Sequence, residues 1–410
     1  MEILYIKKKL KFNNTIKRET HIMNSKKETY NKQEILNHIE TLLDQQQQRI
    51  QKLESASPKI DITQKKQLTI GICYGDGIGK QILQQAQHVL SHILSTEVAE
   101  NRIVFKVIEG LTIENRVAHK QAIPTDVLQE IKSCDVLLKG PTTTPQSGDQ
   151  WLNIESANVA MRRELDLFAN IRPIKVPDLG IKWHFFRENT EGEYALGSSG
   201  VRCNTFALDF KITTVEGTKR ICKAAFEFAK KTGKKRVSVI TKSNIMKATD
   251  GLFCDIAKDM AKQYEQYGIV CDEYYIDIMT AHLINPQEAA GFQVMVLPNL
   301  YGDILTDQAA QIQGGVGTAG SANIGNHYAM FEAIHGSAPR LIEAGLADYA
   351  NPSSIIKAAA LLLQHIGFHD KAMTLETHLD HLTMGDNKLV IDPDTGITGQ
   401  EFTERLIKKL

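Results

Sequence analysis

Leu297-Pro298-Asn299-Leu300-Tyr301-Gly302-Asp303-Ile304-Leu305-Thr306-Asp307 is the stretch on which the fold turns. The apolar run Val294 to Leu297 reads as a buried strand, ended by Pro298. Gly302 permits a sharp turn, and the spacing predicts a helix that starts near Asp303. On that helix Asp303 and Asp307 lie four residues apart and share one face. Two carboxylates so placed repel unless something positive sits between them. One resolution is a divalent, oxygen-liking metal such as Mg²⁺ or Mn²⁺. The other is a solvated acidic first turn, favoured by the helix dipole.

Working outward, the same strand-then-helix rhythm repeats. A strand over 68–74 runs into Gly75-Asp76-Gly77-Ile78-Gly79 and then a helix over 80–94. Short apolar runs recur at 103–108, 136–138, 183–186, 237–241 and 269–276, with helical patterns at 218–231 and 250–267. Such alternation predicts an α/β fold with a large, mostly parallel sheet flanked by helices. The glycine turn is not a dinucleotide fingerprint: its spacing is G-x-G-x-G, not G-x-G-x-x-G, and no Walker lysine follows.

With 410 residues, the chain exceeds what one core usually covers, so more than one domain is expected. At 42% hydrophobic and 23% charged residues it has an ordinary globular composition. Its formal net charge of zero gives no global reason to expect nucleic acid or an acidic membrane as a partner. No apolar run approaches the length of a membrane span. Six scattered cysteines without a C-x-x-C pair argue against a zinc site or disulfide framework, and for reduced thiols in a cytoplasm.

Residues 1–66 form an extension of different character, rich in Lys, Asn and Gln and free of Gly. The basic start at Lys7, Lys8, Lys9 and Lys11 is not followed by an apolar stretch, so a secretory signal is not expected. Ile35, Ile39, Leu42, Leu43, Ile50 and Leu53 recur with helical period. They predict an amphipathic helix over 32–53 that packs on the body or on a partner; a mobile tail is the alternative.

Several constellations carry chemistry. Lys139-Gly140-Pro141-Thr142-Thr143-Thr144-Pro145 follows a strand and reads either as a loop that approaches a flat ligand or as a plain turn. In Ser156-x-Asn158-x-x-x-Arg162, Ser156 falls at a helix start and Arg162 one turn beyond Asn158. Arg162, Arg172 and Arg187 could together clamp a small polycarboxylate, since guanidinium forks match carboxylates; singly, each is commonly a salt-bridge partner. Lys242 stands at the end of the strand over 237–241, where a lysine of lowered pKa can act as a base. Asp277 ends another strand, and its carboxylate could complete a metal shell with Asp303 and Asp307. Phe331-Glu332-Ala333-Ile334-His335-Gly336-Ser337-Ala338-Pro339 reads as a backbone-lined ligand loop, although a lone His is commonly structural.

From about 68 to 409 the chain resembles the β-decarboxylating dehydrogenases, the family of isocitrate, 3-isopropylmalate and homoisocitrate dehydrogenases. The motifs that carry the resemblance are GDGIG, R-x-E-L-D-L-x-x-x-x-R-P, R-E-N-T-E-G-E-Y, N-I-M-K, N-L-Y-G-D-I-L-T-D and H-G-S-A-P. The resemblance implies the isopropylmalate dehydrogenase-like fold, which is not a Rossmann fold. It divides the body into a large domain from 67–167 and 314–410 and a small, dimer-forming domain from 168–313. It implies that Arg162, Arg172 and Arg187 bind substrate carboxylates and that Tyr194 and Lys242 are the acid/base pair. Asp303 and Asp307 would hold Mg²⁺ or Mn²⁺, helped by Asp277, and Lys242 and Asp277 would come from the partner chain of a homodimer or larger homo-oligomer. Thr143 and Thr144 would lie near the nicotinamide; Glu332, His335, Gly336, Ala338 and Asn351 would line the adenosine pocket.

Within that family, isocitrate-type members present Ser and Asn where this chain has Ser156 and Asn158, so a hydroxy acid with a third carboxylate is expected: isocitrate, oxidised to 2-oxoglutarate and CO₂. Homoisocitrate, isopropylmalate and tartrate-like acids are the alternatives, as is a regulatory subunit of a hetero-oligomeric enzyme. The stretch 146–155, with Trp151, is longer than the usual loop before this serine and could reshape the pocket. NAD-linked members carry an Asp directly after H-G-x-A-P, and NADP-linked members carry Lys then Tyr. Here Arg340 and Leu341 follow, which leaves NAD or NADP open; Arg340 could pair with a 2′-phosphate.

Overall fold

Strand pairing organises the chain into one ten-stranded sheet and one small hairpin. The computed structural model describes residues 31–410 except 56, 146, 147, 198, 386 and 387. The basic start of the chain and part of the 146–155 stretch therefore lie outside the described residues. The sheet strands are β1 Leu68–Cys73, β2 Ile103–Ile108, β3 Val136–Lys139, β4 Ala169–Val176 and β5 Ile181–Glu188. They continue with β8 Arg236–Thr241, β9 Val270–Tyr275, β10 Val294–Leu297, β11 Gly320–Ile324 and β12 Ala329–Ala333. β6 Val201–Arg202 and β7 Ala207–Leu208 make the hairpin.

The sheet order is β2-β1-β3-β12-β11-β4-β5-β10-β8-β9. The outer pairs are all parallel. The antiparallel contacts, β12 with β11, β11 with β4 and β4 with β5, sit together in the middle. The sheet is thus mixed but mostly parallel, and each of 67–167, 168–313 and 314–410 contributes strands to it. Side chains alternate across it as the pleat requires. Val294 and Val296 of β10 join one core cluster with Ile70, Val136, Val239 and helices Gly79–Ile93, Val215–Thr232 and Ser353–His365. Met295 and Leu297 join a second on the opposite face with Phe185, Trp183, Met279 and Leu305.

Helix Lys32–Glu54 is present where the heptad-like spacing predicts it. The chain divides into two compact units. One holds the described residues from 31 to 51 together with those of 196–210, in which His38 Nε2 lies 2.8 Å from the Ser199 carbonyl oxygen. The other holds Lys52–Ala195 and Lys211–Leu410, with the whole ten-stranded sheet. All six cysteines are free thiols. Among the described residues no helix is long and apolar enough to cross a membrane.

Two local expectations are corrected. The helix after β10 begins at Asn299, not near Asp303, so Gly302 lies inside it and makes no turn. A Cβ on Gly302 would stand 2.4 Å from Cγ and 2.7 Å from Cβ of Arg187, so the glycine is there for close packing. Likewise β9 stops at Tyr275, and Asp277 belongs to the first turn of helix Ile276–Ile284, where the dipole favours a carboxylate.

Candidate active site

The floor of the site follows from strand register. Asn323 of β11, Asn170 of β4 and Arg187 of β5 form one cross-strand row. Lys139 of β3, Glu332 of β12 and Ser321 of β11 form a second row, two residues along β11 and therefore on the same face. Polar side chains in the middle of a sheet need partners, and they find them in one another. Asn170 Nδ2 donates to Ser321 Oγ and to Asn323 Oδ1, both at 2.8 Å, and Asn323 Nδ2 donates to Glu332 Oε1 at 2.8 Å. Glu332 also meets Lys139 Nζ at 3.4 Å and Arg162 Nη2 at 3.6 Å. Burial pushes the Glu332 carboxyl up, but the Lys139 and Arg162 charges outweigh it and hold the group ionised, below its ordinary value. Burial lowers Lys139.

On this floor the three arginines and two aspartates come together. Arg187 is fully buried; its Nε and Nη2 donate to Asn299 Oδ1 at 2.9 and 2.6 Å, and its Nη1 pairs with Asp303. Arg172 Nη1 donates to Asp307 Oδ1 at 2.8 Å and to Thr306 Oγ1 at 2.6 Å, with Nη2 3.8 Å from Asp303. Nε of both Arg162 and Arg172 is buried without a hydrogen-bond partner. Tyr194 donates its hydroxyl to Asp303 Oδ2 at 2.7 Å, and the Arg187 guanidinium lies 5.3 Å from the Tyr194 ring centre. Burial, then the Asp303 hydrogen bond and charge, push the Tyr194 phenol up to about 12. Burial alone would raise Asp303, but Arg187, the Tyr194 hydrogen bond and Arg172 keep its carboxyl below the ordinary value. Burial, with Arg162 adding to it, brings Arg187 down to about 10, still cationic at neutral pH. Ser156 precedes helix Ala157–Glu164 without capping it, and Asn158, on the same helix as Arg162, accepts from Thr142 Oγ1 at 3.0 Å.

Lys242 and Asp277 stand apart as a second group. Lys242 Nζ donates to Asp277 Oδ1 at 2.5 Å, and this bond holds the Asp277 carboxyl below its ordinary value. Exposed apolar side chains lie close by in sequence, Ile245 and Met246 within four residues of Lys242 and Ile278 next to Asp277. Among the described residues no cluster of three or more His, Cys, Asp or Glu could hold a metal. Asp303 and Asp307 offer hard oxygen donors suited to Mg²⁺ or Mn²⁺. One chain, however, does not bring Asp277 to them.

The ligand-loop residues are tied together by Asp76, which sequence reasoning passed over inside the glycine turn. Its carboxylate accepts from Ile113 N at 2.7 Å and Thr143 N at 2.6 Å. Gly77, at φ +57, packs so that a Cβ would meet the Ser337 carbonyl oxygen at 2.0 Å, and Thr143 Oγ1 lies 3.2 Å from Ser337 Oγ. Thr144 is exposed on the same loop. His335 Nδ1 lies 3.0 Å from the Gly336 carbonyl oxygen. Its Nε2 is buried with no hydrogen-bond partner, and burial lowers its pKa. Ala338 adopts φ +46 just before the short helix Pro339–Glu343, on which Arg340 is exposed. Asn351 accepts from Ser353 N at 2.9 Å and Ser353 Oγ at 2.6 Å. Glu332, in contrast, is turned into the ion cluster of the floor. Asn299 and Lys139 are further residues missed as site elements. A lysine closing the apolar run Val136–Lys139 was the available signal for the second.

The site thus gathers three guanidinium groups against a carboxylate pair on one face of a mixed sheet. The isocitrate/isopropylmalate dehydrogenase family profile matches residues 69–404. An NADP isocitrate dehydrogenase of Rickettsia prowazekii is 40% identical over 316 residues, 75% of this chain and 61% of that enzyme. A homoisocitrate dehydrogenase of Methanocaldococcus jannaschii is 33% identical over 84% of this chain and 99% of its own length. The crystal structure of isocitrate dehydrogenase from Methylococcus capsulatus superposes with a TM-score of 0.72 at 31% identity, covering 83% of this chain and 99% of that one. The chain belongs to the isocitrate/isopropylmalate dehydrogenase family. It spans about three fifths of the length of the first of these relatives.

Proposed function

We propose that the protein oxidatively decarboxylates isocitrate to 2-oxoglutarate and CO₂ with NAD or NADP as acceptor, in a homodimer with shared sites. The observation that carries this reading is the convergence of Arg162, Arg172 and Arg187 on the Asp303 side of the site, with the Tyr194 hydroxyl on the same carboxylate. Guanidinium forks bind the substrate carboxylates and fix the reacting carbon. Lys242 of a second copy removes the hydroxyl proton as the carbon–hydrogen bond gives up its hydride. After CO₂ leaves, Tyr194 delivers its proton to the carbon that carried it; its raised pKa keeps that proton available. Asp303, Asp307 and Asp277 of a second copy would hold Mg²⁺ or Mn²⁺, which would supply Lewis-acid stabilisation of the developing oxyanion, and bound NAD or NADP would supply the hydride acceptor. Ser156 and Asn158 favour a polar third arm over an isopropyl group, because polar groups left unpaired penalise the apolar analogue. Homoisocitrate, which keeps the third carboxylate, is the second reading, supported by the homoisocitrate dehydrogenase relative.

The test follows nicotinamide reduction with isocitrate, homoisocitrate, isopropylmalate and tartrate, each with NAD and NADP, with and without Mn²⁺. Reduction is expected with isocitrate and lost on chelation. Equal turnover after exhaustive chelation, or no turnover with any of the four acids, overturns the reading.

A further inference from the structure

Lys211 belongs to none of the groups described so far. Its side chain is only 6% exposed, yet it touches three of the segments that carry the chemistry. Its Nζ lies 3.3 Å from Oε1 of Glu193, the residue before Tyr194. It donates to the hydroxyl of Tyr301 at 3.3 Å and sits 4.4 Å from the centre of that ring, two residues before Asp303. It pairs at 2.6 Å with Oδ1 of Asp250, which is fully buried. The other oxygen of Asp250 accepts the backbone N–H of Lys242 at 2.7 Å. A continuous buried path therefore runs from the Tyr194 loop, through one ammonium and one carboxylate, to the loop that carries Lys242.

A buried ion pair is a poor source of net stability, since desolvation offsets most of its attraction. What it does well is fix geometry, because each charge is held between partners from different segments. We propose that Lys211 and Asp250 are positioning residues that hold the Tyr194 and Lys242 loops in register. The inference rests on the reading of Tyr194 and Lys242 as the proton-transfer pair. If Lys242 serves the site of a second copy, the same path links the two sites of the dimer through each chain. Lys211 touches no reacting atom; it acts through its neighbours.

The experiment measures kcat and KM for the full chain carrying Lys211→Met, Lys211→Arg, Glu193→Gln, Tyr194→Phe, or both Lys211→Met and Tyr194→Phe, with melting temperature and oligomer mass recorded for each. Lys211→Met is expected to lower kcat about 10- to 100-fold, as small misplacements of reacting groups do, with a much smaller change in KM. Adding Tyr194→Phe to Lys211→Met should cost less than the product of the two single losses, because part of the Lys211→Met loss acts through Tyr194. Lys211→Arg should restore part of kcat. Should Lys211→Met fail to fold, the partly exposed Glu193→Gln carries the test, and its kcat is expected to fall with unchanged melting temperature. The proposal is overturned if Tyr194→Phe abolishes turnover while Lys211→Met and Glu193→Gln leave kcat intact, or if the losses multiply in the double variant. If Tyr194→Phe itself leaves kcat intact, the functional reading fails instead.

Discussion

At the scale of single residues, the site depends on close contacts that composition does not reveal. Gly302 shows this: the sequence suggests a turn, whereas the glycine lies in a helix and leaves room for the Arg187 side chain. Gly302→Ala should displace that guanidinium, cost about 1–3 kcal/mol by overpacking, and raise KM for the acid more than it lowers kcat. Kinetics and thermal melts check both parts; an unchanged KM would show that Arg187 can move aside freely. Tyr194 gives a second prediction. With its phenol pushed up to about 12, it should remain protonated near pH 10, where an ordinary tyrosine titrates. Ultraviolet phenolate spectra of wild type and Tyr194→Phe should therefore be indistinguishable in their titration up to about pH 10. The arginines and both aspartates were singled out by their positions and Tyr194 by the family resemblance, and the fold brings these residues together. Asn299, Asp76 and Lys139 were not, because their value lies in partners more than 60 residues away in the chain.

At the scale of elements, β1, β3, β8 and β10 were legible because each is a short, mostly apolar run. β11 and β12 were not. Their sequences, GSANI and AMFEA, are buried yet carry Ser321, Asn323 and Glu332, so no apolar run marks them. The polar row across the sheet explains why those strands tolerate such residues. β5 ends in another buried carboxylate, Glu188, beside Glu191. Burial first, and the Glu191 charge second, raise Glu188 from 4.5 to about 7. Between those values the folded state binds more protons than the unfolded chain, so stability falls as pH rises through that window and levels off above it. Glu188→Gln removes this dependence. Melting curves should show wild type losing ground to the variant between pH 4.5 and 7. Parallel curves at every pH would mean that Glu188 titrates normally.

At the scale of the molecule, Lys242 and Asp277 pair with each other away from Asp303 and Asp307, flanked by exposed Ile245, Met246 and Ile278. An exposed apolar surface of this kind fits a second copy. If sites are shared, two inactive homodimers, Tyr194→Phe and Lys242→Met, should regain activity when unfolded together and refolded. Half the dimers would be mixed, each with one intact site of two, so recovery should approach about a quarter of wild type. No recovery, with mixed dimers verified by mass, would place both residues in one chain's own site. Helix Lys32–Glu54 was legible from its period, but what it contributes to turnover is a matter for deletion, not pattern.

The register of the central strands has a last consequence. Arg172 and Arg187 are anchored by backbone pairing in β4 and β5, whereas the described residues from 148 to 155 lie outside helix and strand. Lengthening or rewriting that segment would leave both guanidinium groups where the sheet holds them. A chain built this way can vary the segment before Ser156 without disturbing the strands that carry Arg172 and Arg187.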